Sequence, residues 1–231
     1  MFTYSATIQT INNMIETRLL VIDSCVAAGY TGRNQNSVQA HIKELKELGV
    51  STPYAIPALY WISPARLTQK PQLIVVGEQT SPEVEFFLAA DAEGARYVTV
   101  ASDHTDRDLE AVSVGKSKQV CDKILGDVFW KVDDIINHWD SIQLSSEVLK
   151  GKEWNPYQTG TLGDILHFTD LLDIIITDLP SGKCPALLSG TLPIIDGDIV
   201  YTSACRMSMT DPILNRNITK TYSITILPDR S

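Results

Sequence analysis

Three acidic residues near the middle of the chain have the types and spacing of a divalent-cation site. Glu83 and Glu85 are alternate residues of an apolar run, and Asp103 follows a second apolar run. Alternate side chains of a β-strand share a face, so both glutamates would point the same way. Because like charges repel and burial raises their cost, such a group needs open water or a cation. Three carboxylates favour Mg2+, Mn2+ or Ca2+ over Zn2+.

The same spacing also fits a solvated β-hairpin with glutamates on its outer face, because an E-x-E pattern in a strand is a weak signal. Two basic residues, Arg107 and Lys116, follow the acids. Either could hold an anionic substrate beside a metal ion. Arg107 could instead brace the carboxylates, and both roles are kept as hypotheses.

His41 and Glu44 form a second candidate group in a segment with helical periodicity. Residues three apart on a helix can touch, so Glu44 could orient the imidazole of His41 for general acid/base catalysis. A partly exposed surface pair is the alternative. The pattern predicts a helix over residues 34–49, with Gly49 at its end.

A third candidate group is the tripeptide Ser189, Gly190 and Thr191. A turn of this composition lets the backbone approach a ligand closely, and its hydroxyl and N–H donors suit an oxyanion. The tripeptide is therefore a candidate for substrate binding.

Composition restricts the class of protein. The chain has 231 residues, 44% of them hydrophobic and 20% charged, which is ordinary for a globular protein of one large domain. A net charge of −9 without a basic block argues against nucleic acid as a partner. No apolar run is long enough to cross a bilayer. Four scattered cysteines and an amino terminus unlike a signal peptide lead us to expect a cytoplasmic protein.

The elements that must position these groups are mainly strands. Residues 1–30 have the composition of strands, and the Glu83 and Asp103 runs are separated by a turn signal, Asp91-Ala92-Glu93-Gly94. A hairpin here would return Asp103 to the glutamates. Strands outnumber helices roughly two to one in this interpretation, which predicts a β-rich α+β domain over residues 1–231.

The order of these motifs resembles a known family. The chain reads Glu83-Val84-Glu85, then Asp103-His104-Thr105-Asp106-Arg107-Asp108, then Gly115-Lys116-Ser117, with His41-Ile42-Lys43-Glu44 before them and Gly190-Thr191 after them. This is similar to the metal-binding core of the fumarylacetoacetate hydrolase family over about residues 32–227. The resemblance implies a rolled, multi-layer mixed β-sheet fold with peripheral helices, a lid helix at 34–49 and a homodimer.

The resemblance also implies an activity and a role for each residue. Glu83, Glu85 and Asp103 would hold Mg2+ or Mn2+, with Ca2+ as a further option. The substrate would be a small anionic 1,3-dicarbonyl or 2-oxo acid. Its carbon–carbon bond would be hydrolysed through an enolate bound to the metal. Decarboxylation, hydration and isomerisation use the same site and stay open. Catalytic roles fall to His41, Glu44 and Lys116, and substrate contacts to Arg107, Ser189, Gly190 and Thr191.

Two departures from the family pattern bear on the substrate. The lysine that often ends the strand after the lid helix is missing from Leu59-Tyr60-Trp61-Ile62-Ser63-Pro64, and Glu110 stands where a glutamine often follows the Arg-Asp pair. A dimeric binding protein without turnover, or an acidic surface for a basic protein partner, are the alternatives to an enzyme.

Overall fold

The computed structural model describes residues 2–47, 53–179 and 185–230, without the side chains at positions 41, 44–47 and 178. In these ranges the strands are β1 (Phe2–Gln9), β2 (Ile15–Ile22), β3 (Cys25–Gly29), β4 (Ala58–Ile62), β5 (Leu67–Thr68), β6 (Gln72–Val76), β7 (Thr80–Ser81), β8 (Val84–Asp91), β9 (Arg96–Ser102), β10 (Thr105–Asp106), β11 (Lys123–Leu125), β12 (Val128–Lys131), β13 (Gln143–Lys150), β14 (Glu153–Thr161), β15 (Ala186–Leu188), β16 (Ala204–Asp211) and β17 (Arg216–Leu227). The helices are α1 (Gln35–Glu47), α2 (Arg107–Glu110), α3 (Val114–Val120) and α4 (Phe168–Asp178), with 3-10 helices at Pro64–Arg66, Val132–Asp134, Ile136–Ser141 and Leu162–Asp164.

The largest sheet contains a closed ring of strands. Its order is β4-β3-β15-β8-β2-β1-β12-β9-β11-β5, and β8 pairs with β9 as well as with β2. Five strands, β8, β2, β1, β12 and β9, therefore form a small barrel. Its interior is apolar and includes Ile8, Leu20, Phe87 and Phe129.

A second sheet covers the outer face of the β8–β9 hairpin. Its strand order is β14-β13-β16-β17-β6. The alternation of buried and exposed residues along β16 and β17 turns one face of this sheet inward. Phe86 and Val100 from the hairpin share an apolar core with Met207 and Tyr222 from the second sheet and Leu171 from α4.

The amino-terminal elements agree with the sequence pattern. The strands expected in residues 1–30 are observed as β1, β2 and β3, and the helix predicted over 34–49 is observed as α1. Its predicted end at Gly49 lies outside the described residues. None of the helices in the described ranges has the length and hydropathy to span a bilayer.

The β8–β9 hairpin has the predicted turn and positions the acidic residues. Asp91 donates its N–H to Ala95 O at 3.0 Å across the turn, and Val84 pairs with Ser102 at the open end. The side chain of Glu85 is on the same face of β8 as those of Phe87 and Ala89, which point into the barrel. Glu85 therefore lies at one polar end of the barrel interior.

Candidate active site

The three predicted acids converge at the open end of the hairpin. Glu83 precedes β8, Glu85 lies within it, and Asp103 directly follows β9. The two ends are joined by a hydrogen bond from Asp103 N to Glu83 O of 3.0 Å. One oxygen from each carboxylate lies within 4.8 Å of the others, an arrangement that can hold a metal ion.

Two buried lysines contact these carboxylates. Lys118 donates from Nζ to Glu83 Oε2 at 2.8 Å and to Asp103 Oδ2 at 2.6 Å. Lys123 places its Nζ 2.7 Å from Asp103 Oδ1 and donates to His104 O at 2.7 Å. Both oxygens of Asp103 are therefore paired with an ammonium group, which offsets the cost of burying the carboxylate.

Arg107 braces Glu83, the second of the two roles considered for it. Its Nη2 donates to Glu83 Oε1 at 2.9 Å, its Nε to Ser81 Oγ at 2.7 Å, and its Nη1 to Glu110 Oε2 at 2.7 Å. Burial alone would lower the pKa of the guanidinium, but the charges of Glu83 and Glu110 raise it. Arg107 is thus permanently charged and directed at protein carboxylates.

Glu85 differs from the other two acids because no lysine or arginine of the described ranges forms an ion pair with it. Its Oε2 accepts the N–H of Gly190 at 2.9 Å, whereas its buried Oε1 has no hydrogen-bond partner among the described residues. Burial, and next the charge of Asp103, raise the pKa of Glu85 well above its usual range. A divalent cation among the three acids would give Oε1 a partner and oppose the effects of burial and of the Asp103 charge on this pKa, so the residues fit such an ion.

The charge of Glu83 is held by its neighbours. Burial would raise its pKa, but Lys118 and Arg107 outweigh that effect and lower it to about 2. Lys118 is likewise buried, which disfavours its charge, yet Asp103 and Glu83 raise its pKa well above the usual range. At neutral pH the site contains an ionised Glu83 and an ammonium group at Lys118.

The tripeptide Ser189, Gly190 and Thr191 lies against β8. Ser189 Oγ accepts the N–H of Phe86 at 3.1 Å, and Thr191 Oγ1 donates to Val84 O at 2.9 Å. Together with the Gly190–Glu85 hydrogen bond, these contacts make the turn a support for the strand that carries the acids. A substrate contact from the same turn stays a prediction.

Two partly buried tyrosines, Tyr30 and Tyr60, interact electrostatically with charged groups of the site. Burial, and next the charge of Glu110, raise the pKa of Tyr30, while burial and the neighbouring Tyr30 raise the pKa of Tyr60 to about 12. Lys118 acts on both phenols in the opposite direction. Tyr30 has a φ of 59°, a left-handed backbone that few residues other than glycine adopt. This strained residue directly precedes the loop into α1.

The structure places the remaining predicted residues as follows. Lys116 is exposed on α3, whereas Lys118, two residues later, reaches the acids. Lys116 is therefore not brought together with the three acids, and its catalytic role stays a prediction. His41 and Glu44 lie on α1, but their side chains are outside the described residues.

Sequence reasoning missed Lys118, Lys123 and the supporting glutamine Gln158. Gln158 accepts the N–H of Val84 at 3.0 Å and donates to Leu192 O at 2.6 Å. The sequence carried a weak signal for Lys118. Residues two apart on a helix lie on opposite sides, so only one of Lys116 and Lys118 can face the protein interior. No local sequence pattern indicates the roles of Lys123 and Gln158, because their contacts with Asp103 and Val84 form only when distant strands pair.

A surface cavity of about 550 Å3 lies elsewhere, between the β1–β2 hairpin and the β8–β9 turn. Its lining includes Arg18, Tyr97 and Lys131, and it shares no residue with the carboxylate group. The chemistry of buried, paired charges therefore identifies the candidate site better than cavity size does.

Several solved structures share this fold. One is 2-keto-3-deoxy-D-arabinonate dehydratase complexed with magnesium and 2,5-dioxopentanoate, with a TM-score of 0.64, 16% identity, and alignment of 92% of this chain and 77% of that one. Cg1458 with an inhibitor has a TM-score of 0.64 and 13% identity, with alignment of 98% of this chain and 90% of that one. The 4-oxalocrotonate decarboxylase from Pseudomonas putida G7, complexed with calcium and acetate, has a TM-score of 0.50 and 11% identity. The alignment covers 90% of this chain and 78% of that one. These likenesses confirm the predicted β-rich fold of the fumarylacetoacetate hydrolase type.

Comparison of the amino-acid sequence with other sequences identifies a family but no curated relative. A search of curated proteins found no match. One family matches residues 28–222, from within β3 to within β17, and its description is "Protein of unknown function (DUF2848)". Since this match spans most of the chain, the protein belongs to that family.

Proposed function

We propose that the protein is a divalent-metal-dependent enzyme acting on a small anionic 2-oxo acid or 1,3-dicarbonyl compound. The observation that carries this proposal is the buried group of Glu83, Glu85 and Asp103, in which one oxygen of Glu85 has no hydrogen-bond partner within the described residues. Burying like charges is costly, and a protein without turnover has no use for them.

The names of the structural neighbours support the same class. One is a dehydratase solved with magnesium and a dioxo acid, and another is a decarboxylase solved with calcium. We infer from motif order and fold that this chain is a divergent member of the fumarylacetoacetate hydrolase family. Carbon–carbon bond hydrolysis is the reaction of that resemblance, while the neighbours favour dehydration or decarboxylation as the alternative. In all three reactions, negative charge develops on a carbonyl oxygen of the substrate.

Each side chain has a task in such a reaction. Glu83, Glu85 and Asp103 would hold Mg2+ or Mn2+, and the ion when bound would polarise the 2-oxo group of the substrate. Lys118, in the role first given to Lys116, stabilises the negative charge that develops on the substrate oxygen. Arg107 keeps Glu83 ionised and oriented.

Proton transfer is assigned to the lid helix. On α1, we propose His41, oriented by Glu44, as the group that activates water or moves a proton. The turn at 189–191 holds Glu85 and offers donors to the substrate. A homodimer in the cytoplasm, without nucleic acid as a partner, completes the proposal and rests on resemblance and composition.

The test combines metal binding with turnover. We expect Mg2+ or Mn2+ to raise the melting temperature of the protein by several degrees, since a ligand that binds the folded state alone stabilises it. Turnover of an acylpyruvate or oxaloacetate should disappear with EDTA. The Glu85→Gln variant keeps the shape of the side chain and should lose both the metal-dependent stabilisation and the activity.

The matched control is Glu93→Gln, the same substitution at an exposed residue of the β8–β9 turn. It should behave as the parent protein. Metal-dependent stabilisation that survives in Glu85→Gln would remove Glu85 from the ligand set. Stabilisation without turnover of any 2-oxo acid would favour a binding protein.

A further inference from the structure

A buried histidine next to Asp103 has no task in the proposed reaction. His104 is fully buried, so its ring has no surface for contact with a substrate. Its Nδ1 lies 3.1 Å from the hydroxyl oxygen of Tyr222, and its Nε2 lies 2.9 Å from Oγ1 of Thr80. Both partners are buried as well. Each ring nitrogen therefore has a protein hydroxyl group as its hydrogen-bond partner, and the imidazole is held from two sides.

The two hydroxyl groups belong to separate parts of the fold. Tyr222 lies in β17 of the second sheet, and its hydroxyl oxygen is also 2.9 Å from Oγ of Ser102 at the end of β9. Thr80 lies in β7, three residues before Glu83. The imidazole thus joins the second sheet to both chain segments that carry acids of the site, the one that leads to Glu83 and the one that contains Asp103.

The main-chain contacts between these two segments are few. One hydrogen bond joins Asp103 N to Glu83 O at 3.0 Å. The strands next to the acids, β7 and β10, have two residues each and pair over only that length. So short a ladder leaves each segment some freedom to shift, and the contacts of His104 add a constraint that the ladder does not supply.

The main chain of His104 also holds a counter-charge of the site. Its carbonyl oxygen accepts a hydrogen bond from Nζ of Lys123 at 2.7 Å, and the same Nζ lies 2.7 Å from Oδ1 of Asp103. A shift of His104 would therefore disturb both the carboxylate of Asp103 and the ammonium group that is paired with it.

We propose that His104 is a positioning residue, whose imidazole, held between Tyr222 and Thr80, sets the separation of the Glu83 and Asp103 carboxylates for a divalent cation. This inference rests on the proposed function, because it takes those carboxylates as ligands of the ion. It adds a residue that acts on the ion only through its ligands. Groups that orient the ligands of a metal ion typically contribute about 10–100-fold to its affinity.

The experiment changes a partner of the ring, so that the imidazole itself stays in the core. Thr80→Val keeps the shape of the side chain and removes its hydroxyl group, whereas Thr80→Ser keeps the hydroxyl group. Calorimetry on the full chain measures the dissociation constants of Mg2+ and Ca2+. We expect Thr80→Val to bind Mg2+ at least about tenfold more weakly than the parent. Ca2+ should lose less, because it tolerates irregular coordination that Mg2+ does not. Thr80→Ser should bind both ions as the parent does.

Thr202→Val is the matched control, because it is the same substitution at another buried threonine. The hydroxyl group of Thr202 donates to Leu149 O at 2.9 Å and contacts neither acid-bearing segment. This variant should have a lower melting temperature but unchanged dissociation constants for both ions.

Three results would overturn the role of His104 and leave the proposed function intact. They are parent-like Mg2+ affinity in Thr80→Val, the same loss in Thr80→Ser as in Thr80→Val, and an equal loss for both ions in Thr80→Val and Thr202→Val. The last of these would show a general effect of lower stability. If the parent binds neither ion, the proposed function fails and the inference fails with it.

Discussion

Lys116 and Lys118 differ by two positions on one helix, and that difference decides which of them belongs to the site. Two residues of an α-helix are about 200° apart around its axis, so the side chains leave on opposite sides. Lys118 is buried against two carboxylates, whereas Lys116 faces solvent. The motif Gly115-Lys116-Ser117 predicted a role for Lys116, because a motif specifies a position along the chain but not the direction in which the side chain points.

The two lysines make a matched pair of variants. Lys118→Met should reduce kcat about 10²–10³-fold, as expected for loss of a group that stabilises developing charge. It should also lower the free energy of unfolding by about 3–5 kcal/mol, because buried carboxylates lose their partner. Steady-state kinetics and urea denaturation measure the two effects. Lys116→Met should match the parent in both, and an equal loss in that variant would return the catalytic role to Lys116.

Alternation along a strand predicted that Glu83 and Glu85 share a side, and the family resemblance added Asp103 and favoured a metal site over a solvated hairpin. The Lys123–Asp103 pair was beyond such reasoning, since it joins residues from β11 and from the end of β9 that meet only after the sheet forms. The roles predicted for His41 and Glu44 stay predictions. The local pattern and the resemblance thus predicted the three acids that converge, but not the cations that are paired with them.

Among the elements, the turn at Ser189 to Thr191 has the tightest steric requirement. Gly190 has a φ of 85°, and a Cβ there would lie 2.9 Å from Ala28 O and overlap Thr31 Oγ1. Its N–H is also the donor to Glu85. The sequence predicted the glycine for its close approach to a ligand, while the structure uses it for close approach to β3.

Gly190→Ala should therefore lower the free energy of unfolding by about 3 kcal/mol or more and weaken Mg2+ binding, because the turn that orients Glu85 must shift. Gly197→Ala separates this effect from backbone strain. Gly197 has a φ of 80°, but nothing lies within 4 Å of its added Cβ, so that variant should lose only about 1 kcal/mol. Chemical denaturation and calorimetry with Mg2+ make the comparison. Equal losses in both variants would contradict the steric explanation.

The β16–β17 turn is held by a buried acid far from the site. Asp211 Oδ1 accepts the N–H of Leu214 at 2.9 Å and faces His138 Nε2 at 3.0 Å. Burial would raise the pKa of Asp211, but the backbone N–H of Leu214 and the His138 side chain hold it below the usual 3.8. A lowered carboxyl pKa stabilises the fold above the ordinary pKa, and this contribution is lost as pH falls through the lower, folded-state value.

Asp211→Asn should consequently be less stable than the parent by about 1–3 kcal/mol at pH 7. The difference should shrink below about pH 4, where the parent loses its contribution from the ionised acid. Urea denaturation from pH 3 to 7 measures this. Asp133→Asn, at a residue whose side chain is 72% exposed, is the control and should run parallel to the parent. A constant difference across the range would show that ionisation of Asp211 does not contribute.

At the scale of the molecule, composition and strand patterns predicted a β-rich fold but not its topology. The closed ring depends on β8 pairing with both β2 and β9, and on β1 lying parallel to β12, which is more than a hundred residues away in sequence. Periodicity carries no information on such partners. The order of the motifs supplied the fold type through resemblance, and the organisation as one domain over residues 1–231 stays a prediction.

Because β8 has neighbours on both edges, β9 on one and β15 and β2 along the other, its main chain has little freedom to adjust. Glu85 follows the same inward alternation as Phe87, whose ring fills the barrel. The spacing of the oxygens is thus fixed by the volume of hydrocarbon stacked behind them. A substitution that changes the bulk of the side chain at position 87 should therefore move Glu85 relative to the other two acids and alter the affinity of the proposed cation site.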